Sequence, residues 1–208
     1  MYRPSLLEDY LLTLKGENEI VFIPNPGNAG DSLINYAEYQ LFRKIGLRFK
    51  ESTVDCSLST IRNKVVLFGG GGGLIPQWQT AFNAISRLHS QTKKFIVLPS
   101  TIRGCDDLLK RFRNNDTIMC RETISFNYVS QAVSKGVQVL EIEDAALTLD
   151  TQSILNNKPK LYTYLRQELN HSLYHFRIAV QDTLRWAKLS MKHRVKRLKI
   201  SNENIIFQ

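Results

Sequence analysis

Six short apolar runs recur along the first two thirds of the chain, separated by segments whose apolar residues fall at helical spacing. The runs at about 19–24 (EIVFIP), 48–53, 64–68 (KVVLF), 94–98 (KFIVL), 117–120 (TIMC) and 137–142 (VQVLEI) predict strands. Between them Leu33, Ile34, Ala37, Leu41 and Ile45 form one helical stripe; Phe82, Ile85 and Leu88 begin a second, and Phe126, Val129 and Val133 a third. Strand and helix signals alternating in this way predict an α/β protein with a Rossmann-like open parallel sheet and helices on both faces. Residues 1–150 form that domain in this reading. Residues 151–170 read as a linker broken by Asn156, Asn157 and Pro159, and 171–208 as a basic amphipathic helical tail striped by Leu173, Phe176, Val180, Leu184, Ala187, Met191, Val195 and Leu198.

The unusual residues fall between the elements. The stretches NPGNAGD, GGGGGLIPQW, PSTIRG, CRETIS and EDAAL each follow a predicted strand at its carboxyl end. In an open parallel sheet those ends line one crevice where ligands bind, so five loops are expected to converge on a single electropositive site. Gly69 to Gly73 are consecutive glycines; such a run lets a ligand lie against bare backbone, or makes a tight turn. A dinucleotide fingerprint would place its glycines after the first strand with an acid about 20 residues on, and a P-loop would follow them with lysine and a hydroxyl; neither pattern is present.

Charge narrows the partners. The formal net charge of +9 points to anionic partners, and much of the excess lies in the tail, where Arg185, Lys188, Lys192, Arg194, Lys196, Arg197 and Lys199 occur without an intervening acid. The tail reads as a solvated or packing face, or as a peripheral contact with an anionic membrane; with few aromatics and no recognised motif it does not read as a nucleic-acid binder. Cys56, Cys105 and Cys120 are too far apart for a CxxC pair, and their odd number fits reduced thiols; no metal site is legible. Neither a signal peptide nor an apolar run of about 18 residues is legible, which predicts a cytoplasmic location, with the inner face of the membrane as a second possibility. The four histidines read as solvated or core residues.

The loops offer donors and acids suited to a small anion. Asp31, opening the first helix, is expected to act either as its N-cap or as a carboxylate facing a hydroxyl, as base or orienting acceptor. Arg121, at a strand end, would bind a carboxylate or phosphate, or pair with Glu122 or Asp144. Ser100 and Thr101 would donate to phosphate or cap the next helix; Asp144 would cap likewise or hold Arg121. The candidate catalytic residues are Asp31 and Arg121. The candidate binding residues are Gly27, Asn28, Gly30, Gly70, Gly71, Gly72, Ser100, Thr101, Arg103, Glu122, Ser125 and Asp144.

GNAGDSLI, FGGGGGLI, VLPSTIRG, CRETIS and EDAALTL, in this order and at these intervals, resemble the motifs of the polysaccharide pyruvyl transferase family, over roughly residues 19–150, with YLRQE at 164–168 as a further match. The resemblance implies transfer of a pyruvyl group from phosphoenolpyruvate to hydroxyls of an exopolysaccharide or lipid-linked sugar, forming a pyruvate ketal without nucleotide, metal or other cofactor. It also implies a fold of two Rossmann-type halves, as in GT-B glycosyltransferases. This chain resembles the first half; RLH at 87–89 lies too early to be the family's later Arg-Leu-His motif, so the reading leaves open a fragment, a truncated product or a divergent short member. Two alternatives stay open: one half of a GT-B-like glycosyltransferase, and a non-catalytic ligand-binding or scaffold module. Oligomerisation is left open as well.

Overall fold

The computed structural model describes residues 6–150. The predicted linker and basic tail lie outside the described residues. The elements run α1 (Leu6–Leu12), β1 (Ile20–Ile23), α2 (Ala29–Ile45), β2 (Lys50–Glu51), α3 (Leu58–Ile61), β3 (Val65–Phe68), β4 (Gly71–Leu74), α4 (Gln79–Leu88), β5 (Lys94–Ile102), α5 (Asp106–Leu109), β6 (Thr117–Cys120), α6 (Thr123–Ala132) and β7 (Gln138–Glu141), with short 3-10 turns at His89–Gln91 and Ala145–Thr148. The strands form one parallel sheet in the order β2-β1-β3-β5-β6-β7, with β4 added against β5. The fold is Rossmann-like α/β.

Successive strand residues serve opposite faces, and both faces are covered, which is why the strands read as unbroken apolar runs. On one face Val21, Ile23, Val66, Phe68, Phe95, Val97 and Ile118 pack with Ala81, Ile85 and Leu88 of α4 and Val129 of α6. On the other, Ile20, Phe22, Val65, Leu67, Ile96 and Met119 pack with Leu7 and Leu11 of α1 and with Ile34, Ala37, Leu41, Phe42 and Ile45 of α2. The expected stripe on α2 needs one correction. Leu33 is 47% exposed, because it sits one helical step (about 100°) off the buried row. Phe42, four residues after Glu38, takes its place in the core.

Two strand expectations also change. The run at 48–53 contributes only Lys50–Glu51, an exposed pair at the sheet edge. Conversely, PSTIRG is not a loop from its start: β5 continues through Pro99 to Ile102 because β4 supplies it with a second partner, Gly71 pairing with Ser100 and Leu74 with Ile102. Pro99, which has no N–H to donate, lies where the β5–β6 register shifts between Val97 and Ser100.

Candidate active site

The entry to α2 is built by a reciprocal cap. Asn28 is the N-cap, its side chain accepting from the Gly30 N–H at 2.7 Å, and Asp31 Oδ2 accepts from the Asn28 N–H at 3.0 Å. Asp31 is therefore not the N-cap expected from sequence but the third helical residue, closing the box from inside. A Cβ at Gly27 would lie 1.9 Å from Asp31 Oδ2, so the chain reaches the cap only with glycine there. The Asp31 carboxyl also accepts from the Gly72 N–H. Burial raises its pKa above the usual carboxylate value, opposed by the hydrogen bonds from Asn28 and Gly72 and by the Arg121 charge.

The glycine run is neither a loop nor a plain turn. Its last three members, Gly71 to Gly73, lie in β4, and Gly70 and Gly71 are glycine for reasons internal to the protein. A Cβ at Gly70 would lie 2.5 Å from the Pro99 carbonyl oxygen; Gly71 has φ +134°, and a Cβ there would lie 2.5 Å from Asp31 Oδ1. Below them is a buried polar cluster that sequence reasoning missed. The Gly70 N–H donates to Glu38 Oε1 at 2.8 Å, and Asn25 Nδ2 donates to the Gly70 carbonyl at 3.0 Å. Asn25 and Asn35 are joined in turn by two further hydrogen bonds. On α2 Glu38 sits among apolar core positions, and only its carboxyl distinguishes it in the sequence.

Arg121 links the later loops. Its Nε donates to Thr101 Oγ1 at 2.8 Å and one Nη to Asp144 Oδ2 at 2.7 Å. Its Nη2 lies 3.6 Å from where a Cβ of Gly72 would be. Asp144 also caps the 3-10 turn through the Ala146 N–H, so both roles foreseen for it are filled. Thr101 donates on to Glu122 Oε2, and Glu122 Oε1 accepts from Arg103 and, in a short contact, from Ser125. Ser125 Oγ receives the Ile102 N–H, and Ser100 Oγ donates to the Leu98 carbonyl. Ser100 and Thr101 lie within β5, so neither caps a helix as the sequence allowed.

These elements enclose a cavity of about 310 Å³ at the carboxyl edge of the sheet, at the small end of the range for ligand sites. Of the expected site residues, Gly27, Asn28, Gly30, Asp31, Gly72 and Arg121 line it. Gly70, Gly71, Ser100, Thr101, Arg103, Glu122, Ser125 and Asp144 do not; Thr101 and Asp144 bond directly to Arg121 and Glu122 pairs with it at 3.6 Å, whereas the others support the surrounding segments. The remaining lining is Pro26, Ile34, Gly73, Trp78, Thr80 and Ala81. Trp78 and Gly73 belong to a stretch singled out from sequence, while Ile34 was hidden in the apolar stripe of α2. The result is a cavity with a cationic side at Arg121 against the backbone of Gly72 and Gly73, an acid at Asp31, and an apolar side at Ile34, Trp78 and Ala81. Among the described residues no group of three or more His, Cys, Asp or Glu is placed to hold a metal ion. His89 is buried between the Ile85 and Arg111 carbonyls and does not line the cavity.

The fold and this cavity define a Rossmann-like α/β protein with its site in the crevice at the carboxyl ends of parallel strands. A profile of the polysaccharide pyruvyl transferase family matches residues 28–202, and the chain belongs to that family. The match continues through the segments read as linker and tail. Among solved structures, the chain resembles a functionally uncharacterized protein from Klebsiella pneumoniae subsp. pneumoniae NTUH-K2044, with a TM-score of 0.62 and 30% identity over 69% of this chain. The chain spans 55% of the length of that protein. A comparison with curated proteins finds no match. No helix of the described residues is long and apolar enough to cross a membrane.

Proposed function

We propose that this chain takes part in pyruvyl transfer from phosphoenolpyruvate to two hydroxyls of a sugar in a cell-surface polysaccharide or its lipid-linked precursor. The observation that carries the reading is Arg121: Thr101 and Asp144 occupy two of its nitrogens, which fixes the guanidinium plane and leaves Nη2 at the cavity wall beside Gly72. A guanidinium fixed in this way binds a carboxylate or phosphate with little further loss of freedom. The family membership supports the same class of chemistry.

In this reaction a proton adds to C3 of the enol and one sugar oxygen bonds to C2. The C2–O bond to phosphate then breaks with its electron pair, and the second sugar oxygen bonds to C2. Of the two hydroxyl protons, one balances that gained by C3 and the other leaves with phosphate. Arg121 Nη2 holds the anionic donor, which lies against the side-chain-free wall of Gly72 and Gly73. Asp31, whose raised pKa brings it closer to neutrality, exchanges a proton with a sugar hydroxyl. The apolar wall at Ile34 and Trp78 receives the carbon face of the acceptor sugar. The donor is the only small-molecule requirement, with no separate cofactor, and the reaction runs at the cytoplasmic face of the membrane, where the basic tail meets lipid-linked acceptors.

Proton NMR tests the reading. With phosphoenolpyruvate and galactose- or mannose-containing acceptors, the vinyl signals are expected to disappear as a ketal methyl singlet grows. Thermal stabilisation by nucleotide sugars but not by phosphoenolpyruvate would instead select a glycosyltransferase donor.

A further inference from the structure

Glu38 is the most deeply buried acid near the cavity, at 0% exposure, yet it does not line it. Its Oε1 accepts the Gly70 N–H, while Oε2 has no hydrogen-bond partner among the described residues. The opposite side of the same segment is held by Asn25, whose Nδ2 donates to the Gly70 carbonyl and whose Oδ1 is likewise buried without a partner. Gly70 is thus gripped at both its N–H and its carbonyl from beneath. The next residues make the site: Gly71 packs against Asp31 and Asn25, the Gly72 N–H donates to Asp31, and Gly72 and Gly73 line the cavity. An ionised carboxylate at Glu38 would leave one charged oxygen dry and unpaired, which is far more costly than a neutral acid there.

We propose that Glu38 is a positioning residue for the cavity: as an uncharged acid it holds the Gly70 backbone, and through it the Gly71–Gly73 wall and Asp31, in the shape that receives the anionic donor. The proposal rests on the donor reading given above only for the identity of the ligand. The charged groups that act on Glu38 are Asp144, on the turn packed against α2, and Asp31 on α2 itself; both are acids and both favour the neutral form. Burial, the largest influence, pushes Glu38 up to about 8. Ionisation would then load the floor of an anion site with negative charge and leave Oε2 a dry, unpaired charge, although the Gly70 N–H by itself favours the ionised form. A purely packing role would not couple the wall to a proton.

The test has two arms on the full chain. In ligand-free protein, the backbone amide resonances of Gly70 to Gly73 are expected to titrate together with a midpoint near 8 in wild type and to lose that transition in Glu38→Gln, which keeps an acceptor for the Gly70 N–H. In the second arm, the Kd for phosphoenolpyruvate is expected to rise at least about tenfold from about pH 6.5 to about pH 8.5 in wild type and under about threefold in Glu38→Gln. Absence of the amide transition in wild type, or its persistence in Glu38→Gln, overturns the proposal. Failure of phosphoenolpyruvate to bind wild type at either pH sinks the donor reading instead, and the ligand-free arm then decides the role of Glu38 alone.

Discussion

Arg121 shows how one side chain converts loop geometry into chemistry, since three separate strand ends meet on it: its own, that of β5 through Thr101, and that of β7 through Asp144. Lysine could not satisfy both partners and still present a donor to the cavity. Arg121→Lys is therefore expected to weaken phosphoenolpyruvate binding by about tenfold or more, and Arg121→Ala by about a hundredfold, measured by calorimetry with circular dichroism showing an intact fold. Neighbouring glycines should behave oppositely. Gly70→Ala drives a methyl against the Pro99 carbonyl, which as backbone cannot swing away, and should cost about 2–3 kcal/mol in denaturant unfolding. At Gly72 the nearest atom to an added Cβ is 3.6 Å away and φ is not positive, so Gly72→Ala should change stability by no more than about 0.5 kcal/mol. Its methyl would instead stand in ordinary contact with Arg121 Nη2 at the cavity wall, taking space from the donor and weakening its binding. Equal losses of stability at the two positions would contradict the division of the glycine run into a packed part and a ligand-facing part.

The α2 entry and β4 are the elements that give the cavity its floor. Asn28 Oδ1 accepts the Gly30 N–H in the first turn of α2 and Asp31 accepts the N–H of Asn28 itself, so part of this helix end is satisfied by the protein's own groups. Asn28→Ala should lower stability by about 1 kcal/mol in chemical denaturation. The same logic of burial governs the thiols. Cys105 is pushed up to about 11 and Cys120 to about 12, chiefly by burial, whereas Cys56 is only half-buried. An aromatic disulfide reagent at about pH 8 should label Cys56 fast and the other two only after denaturation. The sequence signalled α2, α4, α6 and most of the strands because their periods are local. β4 escaped it because glycine carries no strand signal: the strand exists only where β5 lies alongside to accept its backbone.

For the whole molecule, Glu38 couples folding to pH. Its unfolded value of 4.5 rises to about 8 in the fold, so the folded protein binds more protons than the unfolded chain between those values. The stabilising effect of its proton is fully present below 4.5 and is lost as pH rises towards 8, by at most about 1.4 kcal/mol for each pH unit crossed. The raised Asp31 carboxyl acts in the same direction. Stability from denaturant midpoints should thus fall from about pH 5 to about pH 8 in wild type and vary less in Glu38→Gln. The family motifs and strand-end loops were legible because glycine, aspartate and arginine at such positions answer to local chemistry. The number of expected residues that reach the cavity was not legible: Thr101, Glu122 and Asp144 look like binders in sequence, yet they point at other protein groups. By itself the sequence determined the alternating α/β order, the parallel sheet and the family, since hydrophobic period and loop composition are written residue by residue. Only the tertiary structure decided that Gly71 to Gly73 lie in a strand, that Asn28 caps α2, that Trp78 faces Arg121's cavity and that Glu38 lies dry beneath it. Those outcomes depend on which distant groups meet, and neither spacing along the chain nor residue type encodes that distance.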